Sequence, residues 1–213
     1  MGPYTVIYAD PPWRFEVWSG ETAVKARKSG TGTNVAAGHH YNTMTFADIK
    51  ALPVRDWAAD DAALFIWICW PMLPESLDVI AAWGFDYKTC AFSWMKARVN
   101  QIDMFRDDAD AAVGMGYWTR ANSEVCLLAT RGAPKRISAG VRQGIIEPRR
   151  EHSRKPDCVP ERIVALMGDV PRLEMFARTR RPGWDAWGNQ TDKFAARGEQ
   201  PEPTPELEPA PCP

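Results

Sequence analysis

The sequence predicts an α/β fold, a mostly parallel sheet covered by helices on both faces. Three observations carry this. Short apolar runs rich in β-branched and aromatic residues alternate with helix-length segments along the chain. One run, residues 62–70, is apolar throughout, as a strand buried on both faces would be. The length of 213 residues, 45% hydrophobic and 25% charged, suits one domain with a core of its own.

The elements follow in order. Tyr4 to Ala9 is a β-rich run that stops at Asp10-Pro11-Pro12-Trp13, because proline cannot donate to a sheet. Residues 14–42 have no period and are rich in Gly, Ser, Thr and charge, a loop long enough to be functional. Thr45 stands where a helix N-cap belongs, with Asp48 three positions on, and Ile49 and Leu52 follow before Pro53. After the strand at 62–70, a helix is expected from about Pro74 to Trp83, ended by Gly84. Phe85 to Met95 reads as a strand, 97–121 as a polar, irregular stretch with Gly114, Gly116 and Trp118, and Glu124 to Thr130 as a short strand. Residues 131–155 form a basic stretch, eight Lys/Arg against two Glu. Pro156 opens a helix that runs to Met167 and stops at Gly168. Arg172 to Ala177 is a strand, Pro182-Gly183 a turn, and Trp184 to Gly188 a final short strand. No internal repeat is visible.

Composition excludes several classes. The longest near-unbroken apolar run, Ala62 to Leu73, is 12 residues, where a membrane-spanning helix needs about 20. The chain opens without a basic and apolar leader or a myristoylation signal, so a cytoplasmic protein is expected, with no membrane partner. Five cysteines without a CxxC, beside three histidines, read as reduced core thiols, and no metal is expected. The net charge of −1 hides a contrast: residues 199–213 hold four Glu, six Pro and no basic residue. That tail reads as disordered, leaving residues 1–198 as a single domain with more basic than acidic residues. Ten tryptophans are spread along the chain. Most suit the core, and a subset suits stacking on a flat ligand.

The most distinctive segment is Asp10-Pro11-Pro12-Trp13, at the carboxyl end of the first strand. Ligands of open α/β sheets sit at carboxyl ends, where the strand order reverses. Two prolines fix the backbone and leave their carbonyls as acceptors, the aspartate adds a carboxylate, and the tryptophan adds a flat face. Such a cradle accepts both hydrogens of an exocyclic amino group, through Asp10 and the Pro11 carbonyl, while Trp13 stacks on the attached base. The same four residues also suit a plain strand stop.

Asp10-Pro11-Pro12-Trp13 resembles the DPPW motif of the amino-methyltransferases that make N6-methyladenine. The branch in question includes the catalytic subunit of the messenger-RNA adenine methyltransferase and bacterial and phage relatives. Five further segments resemble the family, in family order: Tyr41-Asn42-Thr43-Met44, the Glu124 strand within Asn122 to Gly132, His152-Ser153-Arg154-Lys155-Pro156-Asp157, Leu173-Glu174-Met175-Phe176-Ala177-Arg178, and Trp187-Gly188-Asn189-Gln190. The matches span about residues 4–190. The resemblance implies a Rossmann-like, S-adenosylmethionine-dependent methyltransferase sheet, circularly permuted, with the catalytic motif before the cofactor-side motif.

What it implies for residues is specific. Asp10 and Pro11 would bind the target amino group, and Pro12 and Trp13 would shape the adenine pocket. Lys155 would reach the cofactor carboxylate or the target adenosine. Asp10, Phe176, Arg178, Arg180, Asn189 and Gln190 would line the cofactor. Tyr41, Arg149, Arg150 and Ser153 would touch the substrate strand, and the basic stretch with Arg178, Arg180 and Arg181 would track phosphates. Glu124 reads as structural. Arg180 departs from the histidine of the messenger-RNA enzyme. The implied activity is adenine-N6 methylation of nucleic acid, with DNA favoured by the compact chain. RNA methylation and an inactive nucleic-acid-binding relative are the alternatives. The aspartate argues against cytosine-N4 methylation, whose enzymes usually carry Ser there. Monomer and homodimer are both compatible with the sequence.

Overall fold

The computed structural model describes residues 3–13, 43–97, 118–148 and 154–193. The expected loop at 14–42, most of the irregular stretch at 97–121, the acidic tail, and Tyr41, Arg149, Arg150 and Ser153 lie outside these residues.

Seven strands form one sheet. In chain order they are β1 (Tyr4–Ala9), β2 (Ala58–Ile68), β3 (Asp86–Ala97), β4 (Ser123–Arg131), β5 (Gly144–Pro148), β6 (Arg172–Met175) and β7 (Asp185–Trp187). Across the sheet the order is β5-β3-β4-β2-β1-β6-β7. Only β4 runs antiparallel to its neighbours, so the other six end on one edge and β4 begins there. The chain leaves β1 toward β2 on one side and later returns to place β6 on the other. That is the reversal point at which a crevice opens in such sheets.

The helices are α1 (Phe46–Ala51), α2 (Val54–Trp57), α3 (Leu73–Ala82) and α4 (Cys158–Met167). Thr45 caps α1: its hydroxyl accepts from the Asp48 N–H, and the Asp48 carboxylate accepts from the Thr45 N–H, a complete capping box. α3 ends at Trp83 and Gly84, whose φ of 82° suits a residue without a Cβ. α4 buries Val159, Ile163 and Met167, four residues apart on one face, each worth about 1.5–3 kcal/mol of apolar burial.

Alternation along the strands divides the core in two. Ile7, Ala9, Leu64, Ile66, Val125, Leu127 and Leu173 pack with Ile49, Val54, Val79 and Trp83 of the first three helices. Val6, Tyr8, Phe65, Trp67, Phe92 and Cys126 face the other way, against Val159, Ile163 and Met167 of α4. Both faces are covered, as the all-apolar strand at 62–70 requires. Two elements went unread in the sequence: β5, within the basic stretch, and the short α2. The expected strand at 62–70 begins earlier, at Ala58, and Trp70 leaves it for a 3-10 turn with Pro71 and Met72.

Candidate active site

The register sets the level of every residue at the carboxyl edge. Ala9 pairs with Ile66 on one side and Met175 on the other, so Asp10 lies level with Trp67 and Phe176. Ile68 pairs with Val125, and Trp94 with Glu124, so Glu124 stands at the same edge.

Four charges meet there. Lys155 Nζ lies 2.9 Å and 3.0 Å from the two Asp10 oxygens and 3.4 Å from Glu124 Oε2. Lys96 holds the other Glu124 oxygen. Lys155 rests 5.5 Å from the centre of the Trp67 ring. Its side chain is 15% exposed and that of Asp10 23%, so the pair is shielded yet open to a ligand. Burial works against the Lys155 charge, but Asp10 and Glu124 outweigh it and hold its pKa above the usual lysine value. Burial likewise works against a charged Glu124, and Lys155 and Lys96 override it, bringing the carboxyl down to about 2. Lys155 and Glu124 are thus held as ions.

A second chain of ion pairs adjoins the first. Arg154 meets Asp157 at 2.9 Å, and Arg181 bridges Asp157 at 3.3 Å and Glu174 at 3.2 Å. Burial pushes Glu174 up to about 7, against the opposing pull of Arg181 and with repulsion from Asp10 and Asp157. Glu174 neighbours Tyr8, which takes a 2.7 Å hydrogen bond from the Trp67 indole N–H.

Asp10, Pro11, Pro12 and Trp13 do follow β1 at the edge, but Trp13 is not a free stacking face. It is 4% exposed, its ring lies 5.5 Å from Phe46 in a stacked arrangement, and its indole N–H donates to the Trp67 carbonyl at 2.9 Å. In this arrangement the ring fastens the loop to the core. The Pro11 carbonyl accepts from the Trp13 N–H at 2.8 Å and keeps a second lone pair. The Pro12 carbonyl accepts from Met44 at 3.1 Å, joining the motif to the segment that leads into α1.

The residues expected to line the cofactor follow β6 and β7. Phe176 has φ 58°, the left-handed region that a bulky residue rarely adopts. Its ring meets Trp187 edge-on at 5.2 Å, and the Ala177 N–H donates to the Trp187 carbonyl at 3.0 Å. A Cβ on Gly188 would press on the Phe176 backbone at 3.1 Å, so β6 and β7 approach closely there. Arg180 bonds Asp192 and Thr191, each at 3.2 Å. Gln190 accepts from Lys193 at 3.3 Å, and Asn189 is exposed. Arg178 is half-buried on the same loop.

Several of the basic residues expected to track phosphates have partners within the chain. Arg180 and Arg181 are committed to internal carboxylates, as are Arg154 and Lys155. Arg131 ends β4 at the opposite edge of the sheet, where it donates to the Arg55 carbonyl at 2.7 Å. Among the described residues, the basic side chains of the stretch do not all share the edge of Asp10. Lys96, Asp157 and Glu174 were given no role in the sequence. Asp157 and Glu174 lie inside the quoted motifs, and that was the one available signal.

The MT-A70 family profile matches residues 4–190, which covers every element of the sheet. A type II methyltransferase, M.MunI, of Mycoplasma sp is 31% identical over 192 residues, covering 87% of this chain and 76% of that protein. The N(6)-adenosine-methyltransferase subunit METTL3 of Danio rerio is 25% identical over 195 residues, 90% of this chain but 29% of its own length. The N6-methyladenosine RNA methyltransferase MTA1 of Pyricularia oryzae is 28% identical over 207 residues, 91% of this chain and 48% of its own. The chain therefore spans under half of these two eukaryotic relatives. It belongs to the MT-A70 family and is an S-adenosylmethionine-dependent adenine-N6 methyltransferase.

Proposed function

We propose that Asp10 and the Pro11 carbonyl receive the two hydrogens of an adenine N6 amino group in DNA. The observation that carries this is the clamp of Lys155 on both Asp10 oxygens at the reversal point of the sheet. Held there, the carboxylate cannot turn away, and it faces the positive charge that develops on nitrogen during transfer. Much of the barrier reduction is orientation. S-adenosylmethionine supplies the methyl group on a sulfonium centre. Phe176, Arg178, Asn189 and Gln190, beyond β6 and β7, hold that cofactor, with Arg180 fixing the turn at Thr191 and Asp192.

Lys155 has two expected roles, and the substrate side is the better fit. Its charge already answers two carboxylates, so a third would find little attraction. Pro12 and Trp13 shape the pocket wall, and Tyr41, Arg149, Arg150 and Ser153 are proposed contacts to the strand. Residues 1–198 form one methyltransferase domain in this reading. Its circular permutation is supported by Asp10 following the first strand while Phe176 and Asn189 follow the last two. DNA is favoured because the chain covers three quarters of a compact type II methyltransferase at the higher identity, against smaller shares of the adenosine methyltransferases.

The test is methyl transfer from labelled S-adenosylmethionine to matched DNA and RNA pools, followed by digestion to nucleosides. N6-methyladenine from DNA is expected. The same product from RNA alone overturns the polymer, and N4-methylcytosine overturns the base. Asp10→Ala should lower turnover about 100- to 1,000-fold, the loss typical of removing one preorganised group at a reacting centre, while cofactor binding persists. Near-normal activity in that variant would sink the mechanism.

A further inference from the structure

Trp13 is buried, so its ring offers no free face to an adenine at Asp10. Among the nine described tryptophans, only Trp70 and Trp118 are exposed, at 53% and 90%. Both flank the carboxyl edge, Trp70 two residues after β2 and Trp118 five before β4. The other seven are buried or half-buried.

Trp70 is the better defined. Trp67 is level with Asp10, and three residues of extended chain reach about 10 Å at most. Trp70 therefore stands within that distance of the Asp10 level. Cys69 beside it lies near enough to Lys155, Glu124 and Asp10 for their charges to act on its thiol, although burial has the larger effect. The turn is stiff: Pro71 follows Trp70, the Met72 N–H donates to the Cys69 carbonyl at 2.8 Å, and Ser76 closes on the Met72 carbonyl at 2.6 Å. An indole held out on a rigid turn keeps its ring available without losing much freedom on binding.

We propose that Trp70 is a substrate-binding residue that stacks on a base flanking the target adenine. This rests on the reading of Asp10 as the amino-group site. The offset along β2 fits a neighbouring base rather than the target itself. Stacking of this kind is tolerant of base identity, so Trp70 supplies affinity and register rather than sequence choice.

The experiment uses the full chain, Trp70→Ala and Trp70→Phe, and DNA oligonucleotides with 2-aminopurine beside the target adenine. Trp70→Ala should raise the KM for DNA about tenfold, within the range of one lost base stack. The KM for S-adenosylmethionine and kcat should stay within about twofold, and Trp70→Phe should restore most of the loss. Binding should quench 2-aminopurine in the parent protein and in Trp70→Phe but not in Trp70→Ala. An unchanged DNA KM and unchanged quenching in Trp70→Ala overturn the proposal. So does a changed sedimentation coefficient with an unchanged DNA KM, which would make Trp70 a contact between copies. Absence of N6-methyladenine with the parent protein defeats the Asp10 reading instead, and the quenching comparison still decides for or against Trp70.

Discussion

Glu124 stands between two ammonium groups, Lys155 and Lys96, and together they outweigh the burial that would favour its neutral form. Its pKa is about 2 in the folded chain against 4.5 when free. A depressed carboxyl stabilises the fold above its unfolded pKa, and the contribution is lost as pH falls through the folded value. Glu124→Gln should therefore cost about 2 kcal/mol at pH 7, discounted from the full shift because the side chain is partly exposed. The gap between variant and parent should narrow below pH 4.5 and close near pH 2. Urea midpoints at pH 7, 4 and 2.5 measure it, and a gap of constant size would show that Glu124 is not held by these lysines. Asp10 and Lys155 were legible in the sequence because each lies in a distinctive motif. Their contact was not, since it joins residues 145 apart with no period linking them. The surroundings of Trp13 were not legible either, because an indole suits a stacking face and a core equally well. Only its partners, Phe46 and the Trp67 carbonyl, decide.

At the scale of elements, punctuation was the legible part. Thr45 with Asp48, Gly84 after α3 and Gly168 after α4 mark ends that the structure places within a residue or two. β5 was missed because its burial alternates weakly on an edge: Ile145 is buried, Ile146 is 50% exposed, and basic residues surround them. Gly132, just past β4, shows what a single residue does at such an end. Its φ is 61°, and a Cβ there would fall against the Asp60 carbonyl and the Asp61 carboxylate. Asp61 meanwhile accepts from the Ala133 N–H at 2.8 Å, holding the turn onto β2. Gly132→Ala should destabilise by about 1–3 kcal/mol, through strain and loss of that bond. Equilibrium urea unfolding reads the cost directly. Methyl transfer at a temperature where the variant is folded should be unaffected, because Gly132 lies at the edge opposite Asp10. A variant as stable as the parent would mean that the turn relaxes freely.

In the reading proposed above, substrate and cofactor fall on two sides of β1. Toward β2 and β4 lie Trp67, Glu124 and Lys155, and toward β6 and β7 lie Phe176 and the loop carrying Arg178, Asn189 and Gln190. A ligand that binds only the folded chain stabilises it by about 2.7 kcal/mol at a hundredfold excess over Kd. For a domain of this size that raises Tm by about 5–10 °C. If the division holds, Arg178→Ala should lose most of the shift produced by S-adenosylmethionine. Lys155→Met should keep it to within about 2 °C while methyl transfer collapses. Lys155→Met will itself melt lower, because it leaves Asp10 without its cation, so the quantity to compare is the shift within each variant. A shift lost in Lys155→Met and kept in Arg178→Ala would reverse the assignment and put Lys155 on the cofactor. The result expected here leaves Lys155 to the amino group's side, where one ammonium fixes the carboxylate that receives the substrate.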